Sequence, residues 1–176
     1  MAQPDNASET FAVTLRLARE ATARRSHAEA VDLWNDAISL LDNSAEVSQT
    51  ALLLELARSR YRAGDTTGAW RTCCAVADVA RSTADAAAMA DAAAVMRGVA
   101  DFALAAQIHD LCIVATLLLG GSDPVRLPRV RAQLAATGSA WVNTRYFELD
   151  DGLVSDAERG DPDAAFLTLD ALQGVS

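Results

Sequence analysis

The chain has 176 residues, a formal net charge of −9, about half hydrophobic residues and 5% aromatics. That length suits one domain, and the acidic balance speaks against direct nucleic-acid binding, which relies on concentrated Lys and Arg. All 15 basic residues are Arg, so chemistry that needs a lysine is excluded: a Schiff base, a P-loop or a Ser-Lys dyad. Abundant alanine with few aromatics favours closely packed helices over a sheet and points to an all-α fold.

The opening "MAQPDNASETF" carries acids and no basic region before an apolar core, so it does not read as a secretory signal. Residues 1–8 are expected to be a flexible N-terminus and 9–176 a single helical-repeat domain. Apolar residues then recur at helical spacing in paired runs. The first pair covers 10–24 and 28–42, with Ser26 as the cap between them. The second covers 49–63 and 66–81, where Gly64 suits a left-handed helix end and Asp65 or Thr66 can cap the next helix.

A third pair is expected at 86–101 and 104–119, with no turn signal in "DFALAAQ". Its apolar stretch "LCIVATLLLGG" is shorter than the roughly 20 residues that span a bilayer, so no membrane segment is expected. Three cysteines read as reduced fit a cytoplasmic location. Gly120-Gly121-Ser122-Asp123-Pro124 marks a stop and restart, and a degraded fourth copy (123–174) has its helix beginning near Pro128. Residues 138–147 are expected to be irregular, followed by a short helix at 148–159. A last helix runs from Pro162 to about 173, capped by Asp161.

The pairs repeat at a period of 39 residues. That shift superimposes Leu17-Ala18-Arg19 on Leu56-Ala57-Arg58 and Val95-Met96-Arg97. It also aligns Leu15 with Leu54, Ala30 with Ala69 and Ile108, and Trp34 with Cys73 and Cys112. The columns Ala37–Val76–Ala115, Leu40–Val79–Leu118 and Leu41–Ala80–Leu119 follow. Apolar columns at helical spacing are expected to form the core of stacked antiparallel hairpins, a solenoid of roughly 8–9 helices.

The hairpin "LLELARSRYRAGDTTGAWRTCCAVADVARS" resembles a tetratricopeptide-like unit, with Ala57 inside the first helix, a Gly-Asp turn and Ala69 early in the second. "SHAEAVDLWNDAISLLD" resembles the second half of another. The period exceeds the 34 residues of the standard repeat. With the phrases at Leu53–Asp65, Arg131–Thr137 and Ala157–Leu172, the chain is similar to the helical-repeat region of actinobacterial LuxR-type, MalT-like ATP-dependent regulators. The resemblance implies a right-handed α-solenoid that senses a ligand or docks a partner, without the ATPase and DNA-binding domains of those regulators. It also implies that Arg19, Arg58 and Arg97, each following the small or core residue of a first helix, lie towards a concave groove.

Joined there by Arg16, Tyr61 and Arg62, those arginines would grip a carboxylate or phosphate of a peptide, a protein partner or a small acidic ligand. Against this stands local pairing, for example Arg97 with Asp101 at i,i+4. His109 beside Asp110 lacks the geometry of an oriented base, because neighbours on a helix point apart, and is read as exposed or groove-facing. Cys73 and Cys74 are read as packing, since adjacent cysteines chelate poorly and neither His27 nor His109 stands at zinc-ligand spacing from them. The tract "FELDDGLVSDAERGDPD" lacks a calcium-loop frame and reads as a solvated face. Trp141, Tyr146 and Phe147 are read as closing the end of the core.

No catalytic residue, metal or cofactor is assigned. The expected function is a non-enzymatic adaptor or regulator. The alternatives are a homo-oligomeric module, such as a homodimer through the helices of 84–119, and a small enzyme whose groove pocket uses Asp101, His109 or the arginines.

Overall fold

The protein, described here by a computed structural model, is traced over residues 4–41, 48–121 and 123–158, with side chains over 8–41, 48–121 and 123–143. These described residues form seven helices and no strand: α1 (Pro4–Ala23), α2 (His27–Ser39), α3 (Gln49–Arg62), α4 (Thr66–Thr83), α5 (Ala86–Ala93), α6 (Phe102–Leu119) and α7 (Arg126–Glu158). The all-α class therefore stands. The expected helix at 162–173 lies outside the described residues.

One turn chemistry joins the first hairpins. Arg25 and Gly64, 39 residues apart, both take left-handed backbone angles, with φ of 63° and 87°. The next amide in each case bonds back five residues, Ser26 to the carbonyl of Ala21 at 3.0 Å and Asp65 to that of Arg60 at 2.9 Å. This closure satisfies carbonyls that a helix end would otherwise leave without partners. Asp65 then caps α4 by accepting from the Gly68 amide at 2.8 Å, whereas Ser26, at the corresponding position before α2, makes no side-chain cap bond. Ala84 repeats the left-handed end after α4, and Asp85 caps α5 through the Ala88 amide at 2.9 Å.

Helices pack in sequence, each on the next, and α5 also touches α3 and α7. Burial follows the 39-residue columns. Ala18, Ala57 and Met96 are buried, as are Ala30, Ala69 and Ile108, then Trp34, Cys73 and Cys112, then Ala37, Val76 and Ala115. Helix α3 is buried on two sides: Leu52 and Leu56 join α1 and α2, while Leu54 and Ala57 join the larger core that continues to α7. The column Leu40–Val79–Leu118 departs from the expected core, because Leu40 and Leu118 are 38% and 43% exposed on the outer ends of their helices.

Three boundaries differ from the expected ones. Helix α1 starts at Pro4, inside the stretch expected to be flexible. Helix α5 stops at Ala93 instead of running to 101, and Gly98, at φ 66°, turns the chain before Asp101 caps α6 through the Leu104 amide at 2.8 Å. The segment 138–147, expected to be irregular, is part of α7. Its Gly, Ser, Asn and Thr are weak helix formers, but Leu127, Val130, Thr137 and Ala140 stay buried along one stripe, and packing on α6 outweighs local propensity.

Among the described residues α6 is the one helix long and apolar enough, by length and composition alone, to cross a membrane. The stretch 111–121 gave no such expectation, because the apolar run extends backwards to Phe102. In the fold Ala105, Ile108, Cys112 and Ala115 of α6 are core residues.

Candidate functional site

The odd-numbered helices line a groove. Three adjoining cavities of about 580, 630 and 580 Å³ share Arg58 and Asp91 in their walls. The central one is lined by Arg58, Tyr61 and Arg62 of α3, Arg97 of the turn after α5, and Arg129 of α7. Towards α1 the groove continues past Arg19 and Thr22 to Trp34, Ala51, Leu52 and Leu54. Towards the start of α7 it reaches Asp123, Pro124, Val125 and Arg126.

The early end of α5 positions Arg97. Residues 94–101 leave the helix, so their carbonyls lose helical partners; that of buried Met96 needs a replacement, while Arg97 stands exposed. The Tyr61 hydroxyl of α3 donates to the Arg97 carbonyl, and the buried Gln133 amide of α7 donates to the Met96 carbonyl at 2.5 Å. Two side chains from opposite walls thus hold the turn, and Arg97 projects into the groove from it.

Six arginines (19, 58, 62, 97, 126 and 129) and three carboxylates (Glu55, Asp91 and Asp123) line the three cavities. The carboxylates are all engaged. Glu55 meets Arg58 at 2.5 Å. Asp91 accepts both Nε and Nη2 of Arg126 at 3.1 Å, and Arg126 Nη1 reaches Asp123 at 3.0 Å. These bonds raise the Arg126 pKa, through Asp91 first and Asp123 next. The Asp123 carboxyl is lowered, mainly by the Arg126 amide and then by its guanidinium. Among the described residues, Arg19, Arg62, Arg97 and Arg129 make no ion pair, and all four are exposed. A chain of net charge −9 thus folds a positive groove.

Of the residues picked out in the sequence, Arg19, Arg58, Tyr61, Arg62 and Arg97 come together here. Arg58 is also satisfied locally by Glu55, as the competing reading held. Arg16 does not line the groove; it pairs with Glu20 at 2.9 Å on the outer surface of α1. Asp101 caps α6 and makes no ion pair with Arg97, because the two no longer share a helix. His109 lies between α6 and α7, with Nδ1 3.0 Å from Thr137 Oγ1 and its ring centroid 5.2 Å from that of Trp141. The Thr137 hydroxyl also lies 2.9 Å from the Gln133 carbonyl, to which it can donate. Trp141 donates to Asp110 at 2.7 Å, so this end of the α6–α7 seam is a closed polar contact. Tyr146 and Phe147 lie outside the described side chains.

Glu55, Asp91, Arg126 and Arg129 are groove residues that sequence reasoning did not pick out. Two signals were present. Asp91 is the only charged residue of α5, and Arg126 and Arg129 stand three apart on the first turns of α7, on one helix face.

The cysteines take no part in the groove. Burial pushes Cys73 up to about 12, helped by the neighbouring Cys74, and burial alone does the same for Cys112. Such thiols stay protonated at neutral pH and act as small apolar side chains. Among the described residues no group of three or more His, Cys, Asp or Glu is placed to hold a metal.

The fold and groove define an all-α protein with an open, arginine-lined channel on one side. In comparisons with known proteins no family model, no curated protein and no solved structure matched this chain.

Proposed function

We propose that this chain is a non-enzymatic helical-repeat adaptor or regulator that binds an acidic peptide, an acidic segment of a partner protein or a small acidic ligand in the groove. The carrying observation is the charge reversal: Arg62, Arg97 and Arg129 converge on one cavity with no carboxylate partner among the described residues. Clustered guanidinium groups raise their mutual repulsion, which an anionic ligand relieves while gaining charge-assisted hydrogen bonds. The buried 39-residue columns and the shared hairpin turns support a tetratricopeptide-like solenoid as the scaffold. The reading also takes the protein as cytoplasmic.

The test is fluorescence anisotropy of a labelled glutamate-rich peptide with the full chain, with Arg97→Glu and with Arg129→Glu. Each reversal is expected to weaken binding by at least about tenfold, a loss of roughly 1.4 kcal/mol, with unchanged helical circular dichroism. Affinity that survives both reversals, or that is absent in the parent chain at low salt, rules the reading out.

Self-association is the second reading. It is favoured by α6, whose Ile113, Leu117 and Leu118 are 36%, 75% and 43% exposed. Light-scattering mass separates the readings: a monomer at high concentration excludes the oligomer.

A further inference from the structure

The groove is not uniform along its length. At the α3, α5 and α7 end its walls carry Arg58, Arg62, Arg97 and Arg129, whereas at the α1 and α3 end exposed Ala51 and the edges of buried Trp34, Leu52 and Leu54 line it beside Arg19, Glu55, Arg58 and Asp91. Arg58 stands where the two parts meet, because it lines both. A purely anionic ligand would leave the apolar end wetted, and a purely apolar ligand would leave the guanidinium groups without counter-charge.

We infer that the groove recognises an extended peptide segment with a bulky apolar residue at one end and acidic residues towards the other, the apolar side chain lying over Ala51 between α1 and α3. This rests on the anion-binding reading above and adds a specificity element to it. The groove is open along its length and crosses α1, α3, α5 and α7, and adjacent helices are about 8–10 Å apart. Three such steps match about eight residues of extended chain at roughly 3.3 Å each. An open channel of that reach suits a peptide strand better than a compact small molecule, which needs enclosure on most sides.

Ala51 allows a clean test. It is exposed, and it stands three residues after Ser48, the N-cap of α3. Glu or Gln at this position completes a Ser-x-x-Glu/Gln capping box, so either substitution narrows the apolar end while favouring the helix. The probe is a labelled peptide of about nine residues with Trp and Leu at one end and glutamates at the other, made in both chain directions. A companion peptide carries Ser in place of Trp and Leu.

Ala51→Gln is expected to weaken the Trp-Leu peptide by about tenfold and to leave the companion unchanged, since a central apolar anchor is worth that much in a peptide groove. Ala51→Glu is expected to weaken the Trp-Leu peptide at least as much. Equal affinity of the parent chain for the two peptides, or no loss with Ala51→Gln, overturns the apolar anchor. Loss with Ala51→Glu alone, equal for both peptides, marks charge repulsion and overturns it too. In each of these cases a loss on Arg129→Glu shows that the anion-binding reading survives without the anchor. If Arg129→Glu changes neither peptide, the underlying reading fails and takes this inference with it.

Discussion

The hydroxyl of Tyr61 on α3 donates to the backbone carbonyl of Arg97, 36 residues later, in the turn that follows α5. This bond fastens the segment that presents Arg97 to the groove. Tyr61→Phe keeps the ring and removes the donor, and it is expected to cost about 1 kcal/mol in urea unfolding. Binding of the glutamate-rich peptide should fall severalfold with it. An affinity equal to that of the parent would show that Arg97 does not need this anchor.

Gln133 holds the same turn from the other side and is only 5% exposed. Gln133→Leu leaves the Met96 carbonyl without its partner in the interior, so a loss of about 1–3 kcal/mol is expected. Amide hydrogen exchange of residues 94–101 should accelerate more than that of α4. Uniform change across the chain would count against a local latch.

Arg126 and Asp91 join the start of α7 to α5 with two bonds at 3.1 Å, at side-chain exposures of 34% and 20%. Partial burial and fork geometry make this pair worth more than an exposed one, so a double-mutant cycle with Arg126→Ala and Asp91→Ala should give a coupling of about 1–2 kcal/mol. The exposed pair Arg81–Asp78 should give less than about 0.5 kcal/mol. Asp123, whose pKa is lowered in the folded chain, favours folding above the ordinary carboxylate range, and that contribution is lost as the pH falls through its folded value. Acid titration of the parent should therefore lose stability below the ordinary carboxylate range more steeply than Asp123→Asn does.

For Cys73 and Cys112, raised to about 12 from 9.0, the sign is opposite. Folding stability is full below about pH 9 and declines as the pH rises from there towards 12, because the unfolded thiols ionise first. Cys112→Ala should flatten this alkaline decline, at a cost in packing at lower pH. With a thiol reagent at pH 8, half-buried Cys74 should react first, and Cys73 and Cys112 only after unfolding.

Ala84 ends α4 in the left-handed region at φ 54°, where Gly64 ends α3. Ala84→Gly removes the Cβ strain at a site that already has this angle, and a gain of about 0.5–1 kcal/mol in chemical unfolding is expected. A loss would mean that the entropy of the unfolded glycine outweighs the strain.

Much of this architecture is local chemistry and was legible in the chain. Helical periodicity, the Gly64-Asp65 turn and the 39-residue spacing placed α2, α3 and α4 to within two or three residues, and assigned Trp34, Cys73 and Cys112 to the core. These follow from side chains acting on their own backbone, or from a period that any packed helix must respect. The candidate site was half legible. Arg19, Arg58, Tyr61, Arg62 and Arg97 are groove residues, but Arg97 arrives there from a turn and not from the helix that the repeat implied.

Tertiary structure decided the rest, because the deciding partners are distant in sequence. Where α5 stops depends on Tyr61 and Gln133 satisfying carbonyls that leave the helix, and neither lies within thirty residues of them. Whether 138–147 is a helix depends on the α6 surface beneath it, which overrides weak local propensity. The charge of the groove depends on Arg58 engaging Glu55 and Arg126 engaging Asp91 and Asp123 while four arginines are left for solvent or ligand. Composition alone yields only an acidic chain; the sign of the surface that meets a ligand is set by which charges the fold pairs and which it leaves open.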